Sequence, residues 1–553
     1  MTKKGRCFFL VIIAASVFFG NNCYAGADLD GVYGPLVPEG SLLYKGNTHY
    51  YQMSDKGTNG RSDYEDNDAS PYYVSFDNSI SFSPVSSFEI TAGEVETLPT
   101  SYTRYSYEPN RNLKSVQQFE IDFFRDYYGG TRIRLSDVEL CFNILERRQK
   151  TGSDATIAYP SANSLFSHVH SNYEEISLSL RYVTFDEKNE NDDDEISTIL
   201  GPLLNTGQWS FEVGSEYING EIDKEILFTS VYYKYSHGLG EHFIPFAKIG
   251  LGITDNVDFL TGIRYATPYK YEYRYNQYSN GVIADEVKGT YGRENDFQIP
   301  LRLRCRPLEN IEIGISSDSR IAEQQLDYSR QLSSGAINNY PRKNLVYYNM
   351  KPRIAIGYFH RAGRSKAEEG SRKITTKPKL RAKQWSVSLS AEKDITWMDK
   401  SQYNGSQNFI DPYNIFKYPL DNYTSGTEYS LFLLGNSTTY SAGVQPQNYY
   451  LFDINLAVGI TDRISIGLGA GYRTESSFDS FSLNDMKQEW FKIKPYCLFN
   501  GNINFVIGET TELSFNGHYV PEYKTIAGRQ DDPDEFRSTT SYTAMDLTLK
   551  QQF

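Results

Sequence analysis

The sequence predicts an all-β protein: a single large antiparallel transmembrane β-barrel of about 18 strands, between about 16 and 20 by its pattern, with short periplasmic turns and long extracellular loops. Three observations carry this. The chain ends on "SYTAMDLTLKQQF", where Phe553, Leu549, Leu547 and Met545 share one face, interrupted by Gln551, and Gln552, Lys550, Thr548 and Asp546 share the other. A short polar turn followed by alternation recurs along the chain, as in "GITDNVDFLTGIRYA" from Gly252 and "GITDRISIGLGAGYR" from Gly459. Finally, 15% of residues are aromatic, with 45 Tyr, although mean hydropathy is only -0.52. Amphipathic aromatics suit a membrane–water boundary, and a barrel needs apolar residues only at alternate strand positions.

The N-terminus reads as a secretory signal peptide. Lys3, Lys4 and Arg6 precede an apolar run from Cys7 to Gly20, and small residues place cleavage after Ala25 or Ala27. The run is short for a membrane-spanning helix of about 20 residues, and Asn21 and Asn22 disfavour a lipoprotein site at Cys23. Residues 26–40 then form a short periplasmic segment, too short for a folded plug, and residues 41–553 form the barrel. Strands are expected near 41–53, 72–82, 87–106, 115–135 and 138–149. Between 150 and 240 parity requires an even number, yet three candidates stand near 172–184, 208–218 and 224–236. Further strands follow near 241–252, 256–272, 295–305, 311–328, 343–361, 385–396, 447–459, 463–475, 488–507, 512–523 and 540–553. Looser copies of the turn start at Ser83, Arg134, Arg306 and Gly508. Short turns rich in Asp, Asn, Thr, Ser and Gly join neighbouring antiparallel strands. On the other side the connections are longer and polar, such as "TESSFDSFSLND" from Thr474 and "IAGRQDDPDEFRSTT" from Ile526.

Tyr265 and Tyr472 lie equally far beyond the turn threonines Thr254 and Thr461. About eleven residues at ~3.3 Å each, tilted ~40°, rise roughly 28 Å, so both tyrosines are expected in an outer aromatic girdle. With these features the chain resembles the Gram-negative outer-membrane, porin-like β-barrel superfamily. That resemblance implies outer-membrane location, contact with lipid and lipopolysaccharide, and recognition of Phe553, Leu549, Leu547 and Met545 by the barrel-assembly machinery; Gln551 departs from the pattern. "LVPEGSLLYKGNTHYYQMSD" is faintly similar to the first strand of barrels for uptake of hydrophobic or aromatic compounds.

Alternation also names the inward face. Beside the first apolar residue of each turn copy stand Glu89, Glu139, Asp258, Glu312, Ser465 and Glu512, so five acids are expected as a ring near the periplasmic mouth. Arg264, Arg320 and Arg473 face inward nearer the other end. Charge rings bias ion passage, although polar interiors also arise for hydration alone. Gly467, Gly469 and Gly471 share one inward face and leave space for another segment. Cys305 and Cys497 fall in phase with apolar residues; one disulfide plus a free thiol among Cys141, Cys305 and Cys497 is the other reading. The acidic run 186–195 reads as a solvated loop, with divalent-cation binding as the other reading, and the basic segment 361–383 as a solvated periplasmic loop, with contact to an anionic partner as the other; the long 400–446 connection either folds inward as a constriction or forms a hairpin above the membrane through "TEYSLFLLGN".

A net charge of -14 disfavours nucleic acid as a partner. His168 and His170 have ligand-like spacing without clustered acids, and no local signature of a hydrolase, metal site or phosphate loop is present. The expectation is therefore a non-enzymatic channel without cofactor, passing small solutes passively with a modest cation bias. A closed structural or adhesion barrel acting through its loops, and a barrel enzyme, are the other two readings.

Overall fold

The computed structural model describes residues 36–59, 72–107, 113–157, 163–184, 203–228, 231–279, 282–332, 335–339, 343–360, 380, 382–399, 409–410, 443–444, 448–481, 488–508, 510–529 and 532–553. The stretch expected to be a signal peptide, the acidic run and nearly all of the basic segment and of 400–446 lie outside these residues; within the last, Phe409–Ile410 pairs with Gly443–Val444.

The wall is a closed antiparallel barrel of 18 strands. We number them β1 (Leu42–Asn59), β2 (Tyr72–Val85), β3 (Phe88–Thr97, continued by Thr100–Tyr107), β4 (Leu113–Leu135), β5 (Val138–Ile157), β6 (Asn163–Val183), β7 (Trp209–Phe228), β8 (Val231–Thr254) and β9 (Val257–Ala266, continued by Tyr269–Ser279). The second half is β10 (Val282–Leu308), β11 (Ile311–Leu332), β12 (Ile337–Asn339 and Lys343–His360), β13 (Trp385–Asp399), β14 (Tyr449–Thr461), β15 (Ile464–Arg473 and Ser476–Phe481), β16 (Gln488–Ile493 and Tyr496–Ile507), β17 (Thr511–Arg529) and β18 (Asp532–Gln552).

Closure is the antiparallel pairing of β1 with β18, running from Leu43↔Gln552 to Asn59↔Phe536. Neighbours that alternate in direction close antiparallel only if their number is even, and closure removes every sheet edge. The Phe553 amide donates to the Leu42 carbonyl at 2.8 Å, and the Leu42 amide donates to the Phe553 carbonyl at 3.2 Å. Between 150 and 240 the extra strand candidate, 224–236, is a hairpin tip: its residues end β7 and begin β8. Residues 476–481, 526–529 and 532–540, inside stretches expected as loops, are strand as well. Where both faces of a hairpin meet water, apolar alternation disappears while the ladder continues. β10 runs for 27 residues, far more than an apolar band of ~25 Å needs.

Packing is inverted relative to a globular core. Leu140, Phe142, Ile144, Leu178, Leu180, Ile354, Ile356, Ile454, Leu456 and Leu468 are exposed on the outside. Asp126, Glu139, Glu175, Glu212, Asp258, Arg304 and Glu312 are buried on the inside. At the C-terminus Met545, Leu547, Leu549 and Phe553 are all exposed on the outer face. Gln551, the polar interruption, is held by the hydroxyls of Thr510 and Thr511. Among the described residues Cys141, Cys305 and Cys497 are all free thiols; Cys497 is exposed, Cys305 half-buried, and the Cys141 Sγ donates to Glu139 Oε1 at 3.2 Å.

Candidate functional site

The inward acids stand one strand position past each short turn. Glu89, Glu139, Asp258 and Glu312 are buried, the last three at 0% exposure, and Glu512 is half-buried. A buried carboxylate is costly without partners, and the register supplies them. Glu89 lies opposite Arg132, with a 3.7 Å ion pair. Glu139 lies opposite Arg134 on one side and Arg181 on the other, at 2.6 Å and 3.6 Å, and receives Arg132 at 3.1 Å. Asp258 faces Arg304, whose Nε donates at 2.8 Å. Glu312 takes Arg306 at 3.2 Å, and Glu512 takes Lys550 directly across β17–β18 at 3.2 Å. These five carboxylates are thus interleaved with six cations: Arg132, Arg134, Arg181, Arg304, Arg306 and Lys550.

The predicted inward arginines are also partnered. Arg264 bonds Glu216, Arg320 grips Asp296 at 2.9 and 2.6 Å, and Arg473 lies 3.9 Å over the Tyr449 ring while donating to Ser476 at 3.0 Å. A further fork joins Arg147 to Asp126 at 2.7 and 2.6 Å. Two-pronged guanidinium–carboxylate pairs are among the strongest hydrogen-bonded contacts.

β14 to β16 differ. Where β9 and β10 pair Asp258 with Arg304, β15 and β16 pair Ser465 with Asn504, the amide donating to the hydroxyl at 3.4 Å. In the glycine row beside it, amides fill the space at Gly467 and Gly469, and the Asp453 carboxylate and Leu498 fill it at Gly471. A Cβ on Gly469 would come within 2.1 Å of Asn455 Oδ1 and 2.3 Å of Asn500 Oδ1, and one on Gly467 within 2.5 Å of Asn502 Nδ2. This sector of the wall is amide-rich around Ser465, Gly467 and Gly469.

On the outer face Tyr472 is exposed, and Tyr265 stacks on Phe297 with centroids 4.7 Å apart. A second aromatic pairing sits at the short-turn end, where Trp209 meets Tyr182 at 4.6 Å and Trp385 meets Tyr358 at 5.3 Å. Sequence reasoning missed it, although Trp209 and Trp385 are two of only four Trp and both begin strands. His168 and His170 lie on β6, exposed, opposite Gly152 and Lys150.

No protein-family model matches the chain, and no curated protein does. Solved structures similar to it include the ferric yersiniabactin uptake receptor FyuA from Yersinia pestis, at 9% identity and a TM-score of 0.43, covering 94% of this chain and 81% of that one. The siderophore receptor PiuA from Acinetobacter baumannii shows 11% identity and a TM-score of 0.40, covering 94% and 82%. The toluene transporter TodX from P. putida shows 8% identity and a TM-score of 0.31, covering 93% and 91%. At these scores the likeness does not bear on function. The chain's own hydrogen bonding and its inverted burial make it a closed 18-stranded antiparallel β-barrel with an apolar outer face and a polar inner one.

Proposed function

We propose that the protein is an outer-membrane channel for small polar solutes, with its short turns in the periplasm and little preference between cations and anions. The observation that carries this reading is the inward face: a closed wall of 18 strands, lined by charged and amide side chains. Barrels of about 16–18 strands leave room for water, whereas about eight fill with their own side chains. Five inward acids alone would favour cations, but interleaving with six bases cancels most of that field. A reversal potential near zero under a KCl gradient is therefore expected. Planar-bilayer conductance of the purified protein is the decisive test; absence of conductance favours the closed structural barrel.

Orientation follows from the same reading. Cysteine at Asp462 or Asn310 should be protected from an impermeant thiol reagent in whole cells, and cysteine at Ser480 should be labelled. The reverse pattern inverts the barrel. Phe553, Leu549, Leu547 and Met545 are proposed as the signal read by the assembly machinery. Deleting Phe553 should lower the amount of heat-modifiable barrel without affecting secretion; an unchanged level removes the signal role.

A further inference from the structure

Three segments at the short-turn end lead into strands six apart: β1, β7 and β13. Their sequences align without a gap as "PLVPEGSL" from Pro35, "PLLNTGQW" from Pro202 and "PKLRAKQW" from Pro378. The sixth residue of each has a left-handed backbone: Gly40 at φ 71°, Gly207 at 79° and Lys383 at 66°. Two are glycine, as that region favours; the lysine keeps the conformation despite its Cβ. The third residue of each is buried: Val37, Leu204 and Leu380, at 3%, 1% and 2% exposure. The residue before the strand then accepts the same bond in each: Ser83 N to Ser41 O at 3.3 Å, Gly252 N to Gln208 O at 2.9 Å and Gly459 N to Gln384 O at 2.8 Å.

The correspondence continues through the strands that follow. Arg134 N donates to Ser87 O, Arg306 N to Asn256 O and Val506 N to Arg463 O, at 2.8, 2.7 and 2.8 Å. Val183 N donates to Asp137 O, Phe359 N to Asn310 O and Gln552 N to Thr510 O, at 3.1, 3.0 and 2.9 Å. The first segments of β3, β9 and β15 each span 10 residues before the ladder breaks, at Thr97, Ala266 and Arg473. Three short-turn signatures thus recur at six-strand spacing.

The leading segments are hooks laid on the lumen side of the wall. Leu204 packs with Val183 and over Gly250, where a Cβ would come within 2.9 Å of its Cδ1. At Gly252 a Cβ would come within 1.8 Å of the Asn205 carbonyl, so these β8 glycines are where the hook lies flat. Belt carboxylates hold the hook amides: Asp258 accepts from Leu204 N at 2.9 Å, and Glu89 from Val37 N at 2.8 Å. Turn aspartates latch the far side. Asp255 accepts the Thr206 hydroxyl at 2.6 Å, which holds its carboxyl below the usual range, and Asp462 accepts Ala382 N at 3.2 Å.

We infer that the barrel consists of three copies of one six-stranded unit, and that the three hooks form a collar which narrows the short-turn mouth and sets the size of solute admitted. The first half stands on the repeated geometry; the second rests on the channel reading above. Each hook brings an aliphatic side chain and a layer of backbone inside a wall that is otherwise polar, at three places evenly spaced in strand number.

The test replaces Val37, Leu204 and Leu380 by Gly, singly and together, in the full chain, with heat-modifiable migration as the folding control. Conductance and the largest sugar admitted in liposome swelling should rise in each single variant and most in the triple one. A conducting parent whose triple variant is unchanged overturns the collar and leaves the channel reading intact. If the parent does not conduct, the channel reading falls, and thiol labelling tests the hook's seat. In a Cys141→Ser, Cys305→Ser, Cys497→Ser background, Val183→Cys should be labelled only when Leu204→Gly is also present. Labelling with Leu204 intact overturns the seat; Leu204→Ala serves if the Gly variant does not fold. For the three-unit reading, a circular permutant that begins at Gly201, joins Phe553 to Gly26 and ends at Leu200 should refold to a heat-modifiable barrel, because the new junction stands where the β6–β7 connection stands in the next unit. Its failure to refold under conditions that refold the parent counts against three equivalent units.

Discussion

Replacing Glu139 by Gln is expected to destabilise the barrel by about 3–5 kcal/mol, the usual cost of breaking a buried ion pair from one side. Glu139 has no exposed surface and receives Arg132, Arg134 and Arg181, from both neighbouring strands. Gln keeps the shape and loses the charge, so three guanidiniums lose their shared carboxylate inside a confined space. The variant's denaturant midpoint should fall, and its reversal potential should move toward anion preference. Glu146→Gln is the control. Its pair with Arg148 is largely exposed, with side-chain exposures of 57% for Arg148 and 36% for Glu146, and exposed pairs contribute at most about 1 kcal/mol. Equal midpoints for Glu139→Gln and the control would remove the belt from the stability of the wall.

Much of this wall was legible because a strand's face assignment is local. Two-residue alternation names which side chains point inward, so the sequence alone singles out Glu89, Glu139, Asp258, Glu312 and Glu512 by their place after a turn. It does not single out their partners, because cross-strand neighbours depend on register, and register depends on turn geometry. Around Asp258 and Glu312 the ladder shifts at Val257/Asp258 and at Cys305/Leu308, which no alternation pattern announces. A usable signal was nonetheless present: "RIR" at Arg132–Arg134 and "RCR" at Arg304–Arg306 stand in phase, just before their turns. The hooks escaped for a different reason. Each buries one aliphatic residue in an irregular stretch, where periodicity carries no information; only comparison of the three stretches with one another makes Val37, Leu204 and Leu380 stand out.

The three units also provide a natural experiment in charge compensation. One pair of places in the wall holds Asp258 with Arg304 in the middle unit and Ser465 with Asn504 in the last. Arg304→Asn alone takes the guanidinium from a carboxylate with 0% exposure, and Asp258→Ser alone takes the carboxylate from a guanidinium with 3% exposure. Each single variant should cost about 3–5 kcal/mol, and their reversal potentials should shift in opposite directions, toward cations for Arg304→Asn and toward anions for Asp258→Ser. The double variant copies the neutral pair already present between β15 and β16, so it should recover most of the stability and nearly the parent's reversal potential. Recovery stops short of complete because Asp258 also accepts the Leu204 amide at 2.9 Å, a bond of about 1 kcal/mol that the shorter serine does not restore. The double-mutant cycle measures this through denaturant midpoints of the four proteins. Additive losses, with the double variant the least stable of the four, would mean that the wall does not treat the two pairs as equivalent, and that charge pairing at Asp258 and Arg304 serves something other than mutual neutralisation.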